Sequence, residues 1–76
     1  MSLTATEAKR LVITKIGHLP GVAGIGLSWD DKGRTCVRVN VNPLEITPLV
    51  RERIPQDVEG VHVEVVELLH LRAAGE

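Results

Sequence analysis

Arg34-Thr35-Cys36-Val37-Arg38-Val39-Asn40-Val41-Asn42 decides the fold class. Its side chains alternate strictly, with Val37, Val39 and Val41 on one side and Cys36, Arg38, Asn40 and Asn42 on the other. A period of two is the mark of a strand with one face in a core and one face outside it. Upstream, Asp30-Asp31-Lys32-Gly33 reads as a tight hairpin turn, with Gly33 free to take positive φ. Val22-Ala23-Gly24-Ile25-Gly26-Leu27-Ser28-Trp29 is then the partner strand of that hairpin.

Further upstream, Thr4-Ala5-Thr6-Glu7 has the form of a capping box. Ala8, Leu11, Val12, Ile16 and Leu19 follow at helical spacing, which predicts a helix over roughly 5–16. Gly17 suits a left-handed position just past its end, and Pro20 follows. Downstream, Pro43 ends the alternating strand, and Thr47-Pro48 is an N-cap followed by proline at the first helical position. That second helix is short, about 48–54, because Pro55 stops it, and Val50 and Ile54 form its inward pair. Gln56 to Gly60 reads as a loop, and Val61 to about Leu68 as a third strand. Leu68-Leu69-His70-Leu71 is too apolar to be left in water without a reason, and Ala73 to Glu76 is expected to fray.

The predicted order α-β-β-α-β is a single α+β domain over residues 1–76. It is a two-layer sandwich with both helices on one face of a three-stranded sheet. The apolar, glycine-rich first strand is taken as the central one, giving the spatial order 2-1-3. The core face is then Ala23, Ile25, Leu27, Val37, Val39, Val41, Val61, Val63 and Val65. The opposite face is a shallow trough. Gly24, Gly26 and Ser28 form its nearly bare floor, and Arg38, Asn40, Asn42, His62, Glu64 and Val66 form its walls. Glycine inside a strand costs stability and marks close approach of a backbone or ligand.

Composition narrows the functions further. The chain has 76 residues, and a domain that short has a marginal core. Phe and Tyr are absent and Trp29 is the single aromatic, so no base-stacking platform exists. The formal net charge is −1, which excludes a bulk electrostatic nucleic-acid binder. The charge is polarised: residues 1–38 carry six basic and three acidic side chains, and residues 39–76 three and seven. A polarised surface can steer toward a complementary one, or the two halves can neutralise one another within the fold. Cys36 is the only cysteine, so no internal disulfide forms. No signal peptide and no apolar run of membrane-spanning length is seen, so a cytoplasmic, membrane-free location is expected.

Catalytic and metal chemistry find little support in the residues. Cys36, His62 and Glu64 share a face on paper, but nothing supplies an oxyanion site or a pocket. His62 and Glu64 alone are too few for a structural metal centre, so neither metal nor cofactor is expected. Gly21-Val22-Ala23-Gly24-Ile25-Gly26 enters a strand, whereas a dinucleotide fingerprint follows one and opens a helix.

The cadence Gly21-Val22-Ala23-Gly24-Ile25-Gly26-Leu27, Val37-x-Val39-x-Val41, Ile54-Pro55 and Val58-Glu59-Gly60-Val61-x-Val63-x-Val65-Val66-Glu67 resembles a known segment. That segment is the small α/β unit at the front of some bacterial trypsin-like protease homologues. The likeness covers roughly residues 21–67 and rests on glycine, proline and valine positions. His62 stands where that pattern often has proline, and no protease triad is present. The resemblance therefore carries over no activity and implies a free-standing version of an accessory domain. The α-β-β-α-β order is also similar to that of the BON domain, a phospholipid- or partner-binding module. Its aliphatic-glycine hairpin phrase and secretion signal are missing here.

The expectation is a non-enzymatic interaction module that associates with itself or with a protein partner. It would do so through a strand edge or the apolar segment Leu68 to Leu71. The alternative is small-molecule or peptide binding by Arg38, Asn40, His62 and Glu64 around Gly24 and Gly26.

Overall fold

The computed structural model describes residues 4–68. Its elements are α1 (Ala5–Ile16), β1 (Val22–Trp29), β2 (Thr35–Val41), α2 (Pro48–Arg53), β3 (Asp57–Val58) and β4 (Val61–Glu67). Helix α1 starts at the predicted capping box. The Thr4 hydroxyl accepts the Glu7 N–H at 3.2 Å, and the Glu7 carboxylate accepts the Thr4 N–H at 3.0 Å. Thr47 caps α2 by accepting the Val50 N–H at 3.2 Å. Ile54 is already extended at ψ 115, as a residue before proline should be.

The sheet is mixed and four-stranded, in the order β1-β2-β4-β3. Strand β1 pairs antiparallel with β2, and β2 pairs parallel with β4. The expected order 2-1-3 is therefore corrected: β2 is central and β1 is an edge. The physical reason lies in the side chains. A central strand needs bulk on its core side, and β2 supplies Val37, Val39 and Val41, all 0% exposed. Gly24 and Gly26 lie on the open face of β1, opposite Asn40 and Arg38, so they do not set its place in the order.

The fourth strand was not anticipated. Asp57–Val58 pairs antiparallel with Val61–His62 across a two-residue turn. Glu59 and Gly60 both take positive φ, at 48° and 90°, the signature of a tight hairpin. The Asp30–Gly33 turn is as expected, with the Gly33 N–H donating to the Asp30 carbonyl at 3.0 Å and Gly33 at φ 80°. Gly17 is not left-handed but right-handed helical, at φ −61°, and its N–H continues the helix by donating to Ile13. The left-handed residue of that connection is Gly21, at φ 90°.

The core gathers Ala8, Val12 and Ile16 of α1 against Val37, Val39, Val41, Val61, Val63 and Ile54. Three expected core positions differ. Ala23 is exposed, and Val22 packs against the core instead. A β-bulge causes this: the pairing steps from Val22↔Val41 to Gly24↔Asn40, so one extra residue of β1 flips the alternation. Leu27 and Val65 hold the core-side register but remain 41% and 42% exposed. Helix α1 is about 18 Å long, whereas β1 spans about 27 Å, so the helix runs out before the strand does.

Candidate interaction edge and open face

Strand β1 offers one edge to β2 and has no strand on its other edge among the described residues. The hairpin fixes which groups point outward. The Asp30 N–H donates to the Arg34 carbonyl at 2.9 Å, so hydrogen-bonded pairs alternate back along the ladder from there. Ser28, Gly26 and Gly24 thus turn their backbone polar groups toward β2. Trp29, Leu27 and Ile25 turn theirs outward. The eight residues of β1 include no charge and no proline. Of the features that protect edge strands from pairing, β1 carries the bulge near Val22 but no lysine, no proline and no brevity, so its second half, from Ile25 to Trp29, is the open part of the edge. Trp29, 68% exposed, and Leu27 add apolar surface beside it.

A groove of about 180 Å³ runs between α1 and the first half of β1, lined by Ile13, Gly17, Val22, Ala23, Gly24 and Ile25. The sequence points to a strand edge but to neither β1 as that edge nor the groove beside it. The uncharged run from Val22 to Trp29 was the available signal, and its meaning depended on the strand order.

The opposite face carries the predicted polar residues together. The Arg38 Nε donates to Glu64 Oε2 at 2.8 Å, and an Arg38 terminal nitrogen donates to Ser28 Oγ at 2.9 Å. Asn40 stands beside Gly24, opposite it in the ladder, and exposed His62 lies two residues before Glu64 on β4. Because β2 is central, Arg38 and Asn40 form a ridge along the middle of this face, not the wall of a trough. The glycines lie to one side of it. The side chain of Arg38 straps three strands, from β4 across β2 to β1, and joins a cation of the first half of the chain to an anion of the second. An ion pair this exposed contributes about 0.2–1 kcal/mol. Its larger effect is to occupy the arginine at the centre of this face.

Cys36 lies on the same face yet is only 1% exposed, directly opposite Ser28 in the ladder. Burial pushes its thiol up from the ordinary value, and the Glu64 and Asp30 carboxylates push it further, against a smaller opposing effect of Arg38. Both effects disfavour the thiolate, the nucleophilic form of cysteine. His62 instead lines a small pocket of about 100 Å³ with Asp30, Arg34, Thr35 and Gly60. Among the described residues, no three His, Cys, Asp or Glu side chains converge as metal ligands. None of the described helices is long and apolar enough to cross a membrane.

Gly26 has no packing requirement. A Cβ built there meets nothing within 4 Å, and at Gly24 it meets only the Asn40 amide, at 3.8 Å. Gly26→Ala is therefore expected to raise stability by about 0.4–1 kcal/mol, mainly by restricting the unfolded chain. Urea titration checks it, and a loss of stability would show that the open notch is needed by the fold itself.

Asp30 holds the hairpin. Its Oδ1 accepts the Lys32 and Arg34 N–H groups at 2.9 and 2.8 Å, and its Oδ2 accepts the Arg34 Nε at 3.1 Å. The Arg34 backbone N–H is the main cause that lowers the carboxyl below its usual range; partial burial opposes it, and the Lys32 N–H and the Arg34 guanidinium reinforce the lowering. A lowered folded-state pKa adds stability that is fully present above the unfolded value of about 3.9 and is lost as pH falls through the folded value. Asp30→Ala is expected to be less stable than the parent at pH 7, with the gap closing on acidification below pH 4. Paired thermal melts across that range check this, and a gap independent of pH would contradict it.

Comparisons with protein-family models, with curated proteins and with solved structures find no match to this chain, so its functional reading rests on the geometry of the β1 edge and the open face.

Proposed function

We propose that the protein is a non-enzymatic interaction module that associates with a second copy of itself through the free edge of β1. The observation that carries this reading is the state of that edge: outward N–H and C=O groups at Ile25, Leu27 and Trp29, with no charge or proline to block a partner strand. Leu27 and Trp29 supply apolar surface that pairing would remove from water. A small domain with a marginal core gains from such burial. The accessory role implied by the glycine, proline and valine cadence agrees with it. Ligand capture by Arg38, Asn40, His62 and Glu64 is the weaker reading, because Arg38 is already held by Glu64 and Ser28.

Leu27→Lys tests the reading. The side chain is 41% exposed, so lysine can carry its ammonium into water and the fold should change by less than about 0.5 kcal/mol. Sedimentation velocity should show the parent moving toward dimer as concentration rises and the variant remaining monomeric. A parent that stays monomeric at millimolar concentration would remove the proposal.

A further inference from the structure

We infer that the groove between α1 and the β1 edge receives the Leu69–Leu71 segment of a second copy, added to β1 as an extra strand. The inference rests on the edge reading above and names what docks there. The groove has the layout of strand-addition sites, in which the sheet edge supplies backbone hydrogen bonds and a neighbouring apolar pocket selects alternate side chains. Its volume is about 180 Å³, room for a side chain laid along it. Its lining is uncharged, and Ile13 contributes a side chain that is 43% exposed. Ile25 lines the groove and also offers outward backbone groups, so a strand paired there would direct every second side chain over it.

The apolar segment predicted from sequence lies outside the described residues apart from Leu68. Leu69 and Leu71 are two apart, so an extended backbone puts both on one face. Reach decides which copy supplies them. The Leu68 N–H donates to the Val41 carbonyl at 2.9 Å, which anchors the end of β4 beside β2. The free edge of β1 lies beyond both β2 and β1, and each strand spacing is about 4.8 Å. Leu71, three residues past the anchor, spans at most about 10 Å. The segment also leaves β4 at the end of the sheet where β1 begins, so pairing within one chain would be parallel. A parallel addition needs a crossover of roughly a dozen residues. The segment therefore cannot add to the outer edge of its own β1 as a strand, three spacings away, whereas two copies related by a two-fold axis can each supply the other's.

Sedimentation velocity on the full chain tests this with a groove variant, Ile13→Asp, and a segment variant, Leu69→Asp with Leu71→Asp. Circular dichroism checks that each folds, with Ala23→Lys replacing Ile13→Asp should that variant unfold. Each is expected to be monomeric where the parent is dimeric. An equimolar mixture should regain dimer, because one intact segment still meets one intact groove, with the midpoint at least tenfold higher in concentration. A segment variant that dimerises like the parent overturns this proposal. If Leu27→Lys also dissociates in that case, the edge reading stands and the occupant is another β1. A mixture that stays monomeric overturns the exchange between copies. Association unaffected by Leu27→Lys removes the edge reading and this inference together.

Discussion

Gly21→Ala is expected to cost about 3–5 kcal/mol and to lower the melting temperature by 10 °C or more. Two effects add. Gly21 sits at φ 90°, where a residue with a Cβ is strained by about 1–2 kcal/mol. A Cβ there would also stand 2.5 Å from Ile46 Cα and 2.6 Å from Ile46 N, which are backbone atoms that no rotamer change can move. Relief would require shifting the segment after β2, and the Asn42 N–H that donates to the Gly21 carbonyl at 2.8 Å would go with it. A domain of this size is stable by about 4–11 kcal/mol, so this one methyl group takes a large fraction. Each kcal/mol moves the melting temperature of such a domain by about 4–8 °C. A thermal melt decides it. A change under 1 kcal/mol would show that the Asn42–Ile46 segment yields freely.

Ile16→Ala is expected to cost about 2–5 kcal/mol, whereas Ile13→Ala on the same helix should cost less than about 1 kcal/mol. The two isoleucines lie within one turn at the end of α1 and occupy different sides of it. Ile16 is 1% exposed and completes the stripe of Ala8 and Val12 that roofs the β2 valines. Removing it leaves a cavity between helix and sheet. Ile13 looks into the open groove, so its truncation leaves space that water already reaches. Urea unfolding with unchanged slope would isolate the difference. Equal costs for the two would mean that the groove closes in solution.

Much of the fold was legible because its signals are local. Thr4 and Glu7 fix one helix start, and Thr47 with Pro48 fixes the other. Gly33 fixes the hairpin turn, and the Val37–Val41 alternation fixes the strand that became the centre. Strand order was not legible, because neighbour choice depends on the total area each arrangement buries. Gly24 and Gly26, which lie on the open face, are compatible with either place, and the core sides of β1 and β2 are equally apolar. The bulge at Val22 was hidden for a similar reason: inserting one residue costs little locally and is repaid only by seating Val22 in the core. The short strand at Asp57–Val58 could have been found from Glu59-Gly60, a two-residue turn between apolar positions. The site fared differently. The alternation along β2 and β4 puts Arg38, Asn40, His62 and Glu64 on one face of the sheet, with Arg38 against Glu64 and His62 at the hairpin end. That Arg38 would spend its guanidinium on Glu64 and Ser28 follows only from the parallel register, which sets Arg38 opposite Glu64.

The parallel contact between β2 and β4 also sets the order in which a newly made chain can become stable. The hairpin of β1 and β2 closes from residues next to one another in sequence, and α1 precedes it. The pairing of Val39 with Val65, by contrast, must wait until the chain beyond α2 exists. A two-stranded ribbon by itself is at best marginally stable in water, and in this chain only α1 can cover it before β4 is made. During translation, then, the valines of β2 keep one flank bare until Val65 has left the ribosome. Closing that long loop should limit the folding rate. Until it closes, the unprotected margin of β1 is most open to pairing with a neighbouring unfinished chain, so crowded synthesis is where misassembly of this protein would begin.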